Sequence, residues 1–272
     1  MKNKLPKNSP KILLLDIETK PMLSYVWRLF DEQGGIAMLK EDWSILSWAA
    51  KWHDPAGKIK YPIMYMDQRT AKNIENEKEI LEGMWKLLDE ADIVIGHNSD
   101  KFDLKKLNAR FAIHGMEPPS SYRKIDTLKI ARKHFAFSSN KLEYLAEILG
   151  CKLKKLTKRV FNGFELWREC LAKNKKAWIE MEKYNKQDVL VLEEVYKKLI
   201  PWDSSVNFNT YHDGEEHVCS CGGTSFLKRG FATTNNGRYQ RYRCNNCGKE
   251  SRSKVNELSI DKRKSLKTGT NR

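Results

Sequence analysis

Ile12, Leu13, Leu14 and Leu15 stand in a row with no polar residue between them. A strand sends successive side chains to opposite faces, so a run with no polar side has no face to offer water. Lys11–Asp16 is therefore predicted to be a strand buried on both faces, which requires covering layers above and below its sheet. The rest of the chain supplies them. Trp43–Trp52 and Ile59–Met66 read as two further strands, with Asp54, Pro55 and Gly57 turning between them, and Asp92–Gly96 is another apolar strand. Glu77–Leu88 has helical periodicity, and Phe102–His114 reads as a helix ending at Gly115 and stopped by Pro118 and Pro119. A short strand closes on Ile125, and Asp126 or Thr127 caps a helix through His134. Ser139 or Asn140 caps the next helix, which Gly150 ends, and Asn174 caps the longest, which runs to Leu199 before Pro201. Lys152–Phe164 is basic and irregular. Strands grouped early and interleaved with helices later predict an α/β domain with a mixed sheet flanked by helices.

The 272 residues, 40% of them apolar, suffice for one sizeable α/β domain and a minor second unit. From Trp202 to Gly214 the composition turns polar and predicts a linker. The expected division is a flexible N-terminus over 1–10, the α/β domain over 11–203, a linker over 204–214, a cysteine-bearing module over 215–255 and a basic, disordered tail over 256–272. No apolar run approaches the ~18 residues that span a bilayer. Met1–Pro10 is polar and basic and lacks the apolar stretch of a signal peptide. The expectation is an intracellular, cytoplasmic protein with no membrane partner, whose thiols stay reduced. A net charge of +15 favours a polyanionic partner through counterion release, nucleic acid first among them. His212–Arg272 carries 13 Lys and Arg against 6 Asp and Glu, so that segment holds a net +7 of the excess.

Asp16 and Glu18 follow the apolar run in Leu-Leu-Leu-Asp-Ile-Glu-Thr. Positions i and i+2 of a strand share a face, so two anions are predicted side by side at a sheet edge. They repel unless a cation joins them, and a divalent ion with oxygen ligands does so economically. Taken alone the pair also reads as a solvated strand end. Asp103 sits in Lys101-Phe102-Asp103 at a predicted helix start, where the helix dipole favours an acid with or without a further role. Tyr184 and Asp188 are four apart on the long helix, so a phenol and a carboxylate can address one place.

In that order, Asp16-Ile17-Glu18-Thr19, His97-Asn98 through Phe102-Asp103, and Tyr184 through Asp188 resemble the three motifs of the DEDD exonucleases, a ribonuclease-H-like superfamily. The tyrosine resembles the DEDDy branch, which holds the proofreading domains of family-B DNA polymerases. A histidine in the alternative branch stands five residues before the last Asp, where this chain has Lys183. Ile125-Asp126-Thr127-Leu128 and Lys141-Leu142-Glu143-Tyr144-Leu145-Ala146 also look like that superfamily, and Trp43–Trp52 is similar to stand-alone phage-type and bacterial members. The resemblance spans Lys11–Trp202. It implies a ribonuclease-H-like mixed sheet and a 3′→5′ exonuclease that acts on nucleic acid with a free 3′ end, single-stranded DNA favoured, and releases 5′-mononucleotides. By the same resemblance Asp16, Glu18, Asp103 and Asp188 hold two Mg²⁺ or Mn²⁺ ions. Asp16 bridges them, Glu18 and Asp188 serve the ion beside the attacking water, and Asp103 supports the second. Tyr184 orients that water, since a phenol that keeps its proton at neutral pH is a poor base. Thr19, His97 and Asn98 are candidate contacts of the terminal nucleotide, with a packed or hydrogen-bonding role equally open for His97. Asp126 is read as a helix cap rather than a fifth metal ligand.

Cys219-Ser220-Cys221 and Cys244-Asn245-Asn246-Cys247 are separated by 22 residues. Paired thiolates flanking a β-forming segment have the pattern of a tetrahedral structural Zn²⁺ site, a redox pair or an iron centre being the alternatives. The first pair is Cys-x-Cys, which leaves room for His217 to replace a thiolate. Cys151 and Cys170 stand apart and are expected to be buried and inert. Between the pairs, Arg238-Tyr239-Gln240-Arg241-Tyr242-Arg243 alternates cations with aromatics. Arg238 and Arg241 are thus candidate phosphate contacts with tyrosines stacking on unpaired bases, or the strand packs its aromatics inward. The whole module resembles the zinc ribbons of transposases and other DNA-associated proteins. Three functions stay open on the sequence: an exonuclease whose ribbon aids nucleic-acid binding, an inactive nuclease fold serving as an adaptor, and a proofreading subunit for a separate polymerase.

Overall fold

The computed structural model describes residues 9–28, 38–70, 76–156, 160–214 and 216–267. Most of the expected flexible N-terminus and the end of the tail lie outside them. The chain opens with β1 (Ile12–Thr19), followed by β2 (Leu23–Tyr25), β3 (Met38–Glu41), β4 (Ile45–His53) and β5 (Ile63–Asp67). Next come α1 (Lys78–Glu90), β6 (Ile93–Gly96), α2 (Asp103–Ile113), β7 (Arg123–Asp126), α3 (Thr127–His134) and α4 (Leu142–Ile148). Then α5 (Glu165–Leu171) precedes the 25-residue α6 (Lys175–Leu199). After two 3-10 turns, β8 (Phe226–Thr234), β9 (Gly237–Cys244), β10 (Glu250–Asn256) and α7 (Ile260–Ser265) complete the described chain.

Five strands form a mixed sheet in the order β5-β4-β1-β6-β7. β1 runs parallel to β6 and antiparallel to β4, so it is the middle strand. Ile12 through Leu15 are each at most 1% exposed, as their unbroken apolar run requires. Alternation divides them. Ile12 and Leu14 face α3, α4 and α6 through Ala131, Leu145 and Val195, whereas Leu13 and Leu15 face α1 and α2 through Leu81 and Leu107. Asp16 and Glu18 continue the first series, which turns them toward α6. The expectation of a sheet edge is corrected here: the pair ends the central strand, and what opens it to solvent is the loss of pairing with β6 beyond Leu14, not an unpaired side of the sheet.

Two caps follow the sequence. Asp126 accepts from the Leu128 amide at 3.0 Å and Asn174 from the Lys176 amide at 3.0 Å. A third does not. α4 begins after Lys141, and Ser139 instead holds a turn before the helix by accepting from the Lys141 amide. Three elements carried no periodic signal: the largely exposed β2–β3 ribbon and α5, which buries only Leu166 and Cys170.

Lys51 and His53 on β4 reach Glu193 on α6, which also receives Lys197. Burial alone would raise the Glu193 carboxyl, but the hydrogen bonds from His53, Lys51 and Lys197 outweigh it and hold the carboxyl well below its usual range. A depressed folded-state value means stability that is present above the unfolded carboxylate range and lost as pH falls toward the folded value. Glu193→Gln is accordingly expected to lower stability at pH 7 and to weaken its loss between pH 5 and pH 2, measured by denaturant titration across that interval. An unchanged acid limb would remove Glu193 from the stability balance.

The segment expected as a linker is packed. Val206 and Phe208 are 6% and 3% exposed and join the core that Tyr196 and Leu199 build. Two apolar side chains in a polar stretch decide its fate, which average composition conceals. Beyond it, β10, β9 and β8 form a separate three-stranded sheet. The tail also differs from expectation over 260–265, where Ser259 caps α7 by accepting from the Lys262 amide, although α7 buries no residue.

Candidate metal and nucleic-acid site

Asp16, Glu18 and Asp188 each bring a carboxylate oxygen to within 4.8 Å of the others. β1 supplies two of them by its period of two, and α6 supplies the third as it crosses the same face of the sheet. Burial first, then the charges of Glu18, Asp188 and Asp103, push the Asp16 carboxyl well above the ordinary range. Asp103 opens α2, is buried, and accepts from the Ile17 amide at 3.2 Å. Burial drives its carboxyl up to about 7 against the pull of that amide. It lies beside β1 at Ile17, near enough for its charge to act on Asp16, but is not among the three acids whose oxygens converge.

Tyr184 lies one turn of α6 before Asp188, with its ring edge-on to Trp167 at 6.0 Å between centroids. Two neighbours escaped the sequence reading. Lys155 places its Nζ 2.7 Å from Asp188 Oδ2 and 5.5 Å from the centre of the Tyr184 ring. Burial disfavours its charge, but the charges of Asp188 and Tyr184 and the hydrogen bond to Asp188 outweigh that and raise the ammonium above its usual range. The one signal for it was the run of lysines in the irregular basic segment. Asn185 donates from Nδ2 to Asp16 Oδ2 at 2.7 Å.

A cleft of about 590 Å³ opens beside the carboxylates, lined among others by Asp16, Asp188, Lys155, His97, Asn98 and Asn140. His97 uses both ring nitrogens inside the fold, one to Thr127 Oγ1 and one to the Asn140 carbonyl, each at 2.9 Å. Burial also lowers its pKa, so the ring stays neutral and serves the wall of the cleft. Asn98 takes a positive φ of 65° and donates its amide to Asp126 Oδ1 at 2.8 Å. Asparagine tolerates that left-handed backbone better than branched residues do, which accounts for its place in the turn. Asp126 therefore holds this turn as well as capping α3. Thr19 ends β1 beyond Glu18, after a register shift in the pairing with β4.

Cys219, Cys221, Cys244 and Cys247 gather all four sulfurs within 4.8 Å. Cys219–Cys247 and Cys221–Cys244 are both 3.6 Å apart. A tetrahedron of Zn–S bonds near 2.3 Å sets its sulfurs about 3.8 Å apart, while a disulfide needs ~2.05 Å, so the donor set fits zinc. His217 stands outside this group: its ring nitrogens face Asn209 Nδ2 at 2.9 Å and Ser251 Oγ at 3.1 Å. The two solitary cysteines are buried as expected, and burial pushes the Cys170 thiol up to about 12.

Strand register separates the two arginines singled out in the sequence. Arg241 pairs with Arg252 of β10, and Arg243 lies two positions along the same face. Arg238 is displaced from Arg241 by three residues and so points the other way, with its guanidinium 4.6 Å from the centre of the Phe231 ring. Arg252 in turn covers Tyr239 at 4.2 Å. The tyrosine–arginine alternation is thus partly satisfied within the module itself.

A family model described as the RNase_H superfamily matches residues 58–200. The match contains Asp103, Lys155, Tyr184 and Asp188 and begins after Asp16 and Glu18. No curated protein matches the chain. Among solved structures it is similar to the family B DNA polymerase from the hyperthermophilic archaeon Pyrobaculum calidifontis, at 16% identity and a TM-score of 0.48. That similarity covers 74% of this chain and 26% of the polymerase, so the chain spans about a quarter of its length. Among the described residues no helix is long and apolar enough to cross a membrane.

Proposed function

Because the chain belongs to the RNase_H superfamily, we propose that its carboxylate cluster hydrolyses phosphodiester bonds of nucleic acid as a 3′→5′ exonuclease, with single-stranded DNA as the favoured substrate. One observation carries the reading: Asp188, far along the chain from Asp16 and Glu18, brings its carboxylate within 4.8 Å of both, and Asp16 and Asp188 line an open cleft. An all-oxygen donor set with this much negative charge suits a hard dication such as Mg²⁺ or Mn²⁺. Asp16, Glu18 and Asp188 would hold two such ions, with Asp103 supporting them from its place beside Ile17. When bound, they stabilise the entering and leaving oxygens of an in-line displacement.

The chain's own groups do the rest. Tyr184, one turn before Asp188 on the same face of α6, orients the attacking water. Lys155 brings a positive charge to the cleft wall, where a phosphate oxygen of the bound strand would lie. The cysteine module serves as a structural zinc ribbon, and Arg241, Arg243 and Arg252 give it a cationic face for phosphates further along the strand.

A 5′-labelled single strand incubated with the protein and Mg²⁺ is expected to shorten in a ladder from its 3′ end and to stop doing so in EDTA. Cleavage that persists in EDTA, or that begins inside the strand, rejects the reading. Parallel turnover on matched DNA and RNA oligonucleotides tests the preference for DNA. Lys155→Ala is expected to slow turnover about 10- to 100-fold, the range for removing a group that supports a metal site, with little change in melting temperature. A loss below twofold would exclude Lys155 from the chemistry.

A further inference from the structure

Asp16 is held by a residue that the motifs do not include. Asn185 is fully buried on α6, between Tyr184 and the turn that carries Asp188. Its Nδ2 lies 2.7 Å from Asp16 Oδ2 and 3.3 Å from the Asp16 carbonyl oxygen. Both partners only accept when Asp16 is ionised, so the amide nitrogen must face them and the orientation of the side chain is fixed. The amide oxygen then points to β4, where it accepts from Ser47 Oγ at 3.2 Å. Ser47 is itself 0% exposed and sits opposite Glu18 in the β1–β4 register.

We infer that Asn185, anchored by Ser47, is a positioning residue that fixes the Asp16 carboxylate in the orientation needed to take a divalent cation. The inference rests on the metal-site reading above and deepens it. Three features support the assignment. An amide is the side chain that can donate to Asp16 while accepting from Ser47, so a leucine or a carboxylate of similar size breaks the chain of bonds at one end. Of the two hydrogen bonds, one uses Oδ2 of Asp16 and the other its main-chain carbonyl, so neither occupies the second carboxylate oxygen. Burial at both Asn185 and Ser47 keeps water from substituting for either partner. The arrangement also joins the two elements that supply the ligands, since Asn185, three residues before Asp188 on α6, bonds both the backbone and the side chain of Asp16 on β1.

The test measures metal binding directly, through the loss of free-Mn²⁺ paramagnetic resonance signal on titration with protein, alongside circular dichroism. Asn185→Ala is expected to keep the helical spectrum and to weaken Mn²⁺ binding about tenfold or more, as removal of a group supporting a ligand does. Ser47→Ala is expected to weaken it in the same direction by less. The double variant should bind no more weakly than Asn185→Ala alone, because Ser47 acts only through the amide. Wild-type Mn²⁺ affinity in folded Asn185→Ala, or additive losses in the double variant, overturns the inference while leaving the metal site standing. Should Asn185→Ala lose its fold, wild-type affinity in Ser47→Ala overturns it equally. If wild type and Asp16→Ala bind Mn²⁺ alike, the metal-site reading itself fails and the inference falls with it.

Discussion

Asp16→Asn is expected to abolish 3′-end hydrolysis while leaving the fold intact or more stable than before. The two halves of that expectation have one cause. Asp16 is half-buried beside three other acids, so its ionised form is opposed by both desolvation and repulsion. Without a bound cation, a carboxyl whose folded value is raised detracts from stability at neutral pH, and a neutral isostere relieves that penalty. With cations the same charge becomes the ligand they need. The stabilisation a metal pair gives a developing oxyanion is several kcal/mol. At about 1.4 kcal/mol per tenfold, its loss amounts to roughly a thousandfold in rate or more. Single-turnover kinetics on a labelled strand and a metal-free thermal melt check both halves. Substantial residual activity, or a lower melting temperature in the metal-free protein, would show that Asp16 is a structural acid instead.

Cys244→Ser is expected to unfold the ribbon without removing the chemistry. Strands β8, β9 and β10 bury almost nothing of their own: within them only Gly237 and Cys244 are buried. A sheet of that size with no apolar interior depends on a staple. Structural zinc sites contribute on the order of 10 kcal/mol to the folding of comparable peptides, far more than the exposed strand pairs supply. Metal analysis should show about one zinc per chain in wild type, with Cys244→Ser losing it. Hydrogen exchange should then reveal unprotected β8–β10 amides with α6 still protected, and weakened retention of long strands. Protected ribbon amides in the variant would mean that the sheet stands without the metal. Complete loss of hydrolysis on a short substrate would mean that the two units do not act independently.

How far the sequence disclosed this molecule depends on the range of the interactions involved. β1 was legible as an unbroken apolar run and α6 as a long helical stretch with a clear cap and stop, and they bring four of the five expected catalytic side chains. Asp126 and Asn174 were legible as caps because a cap is local. Lys155 was not, since an irregular segment has no period to fix where a lysine points, and only the fold brings it to Asp188. Asn185 was hidden for the opposite reason: it lies inside a helix whose pattern was clear, and an amide at a buried position has meaning only through Asp16, 169 residues away in the chain. The β2–β3 ribbon escaped because it has no buried face to impose alternation. The cysteine pairs were legible from spacing, whereas the convergence of all four sulfurs and the partners of His217 required the fold.

The burial of Val206 and Phe208 bears on where this protein can be cut. A truncation after Asp203, chosen to isolate the nuclease fold, would strip two side chains from the interior against which α6 rests. Loss of a buried phenylalanine alone costs about 3–5 kcal/mol, a large share of the ~5–15 kcal/mol that keeps a domain folded. The serviceable border is past Tyr211, so that the shortened chain retains the apolar plug and discards only the cysteine-bearing module.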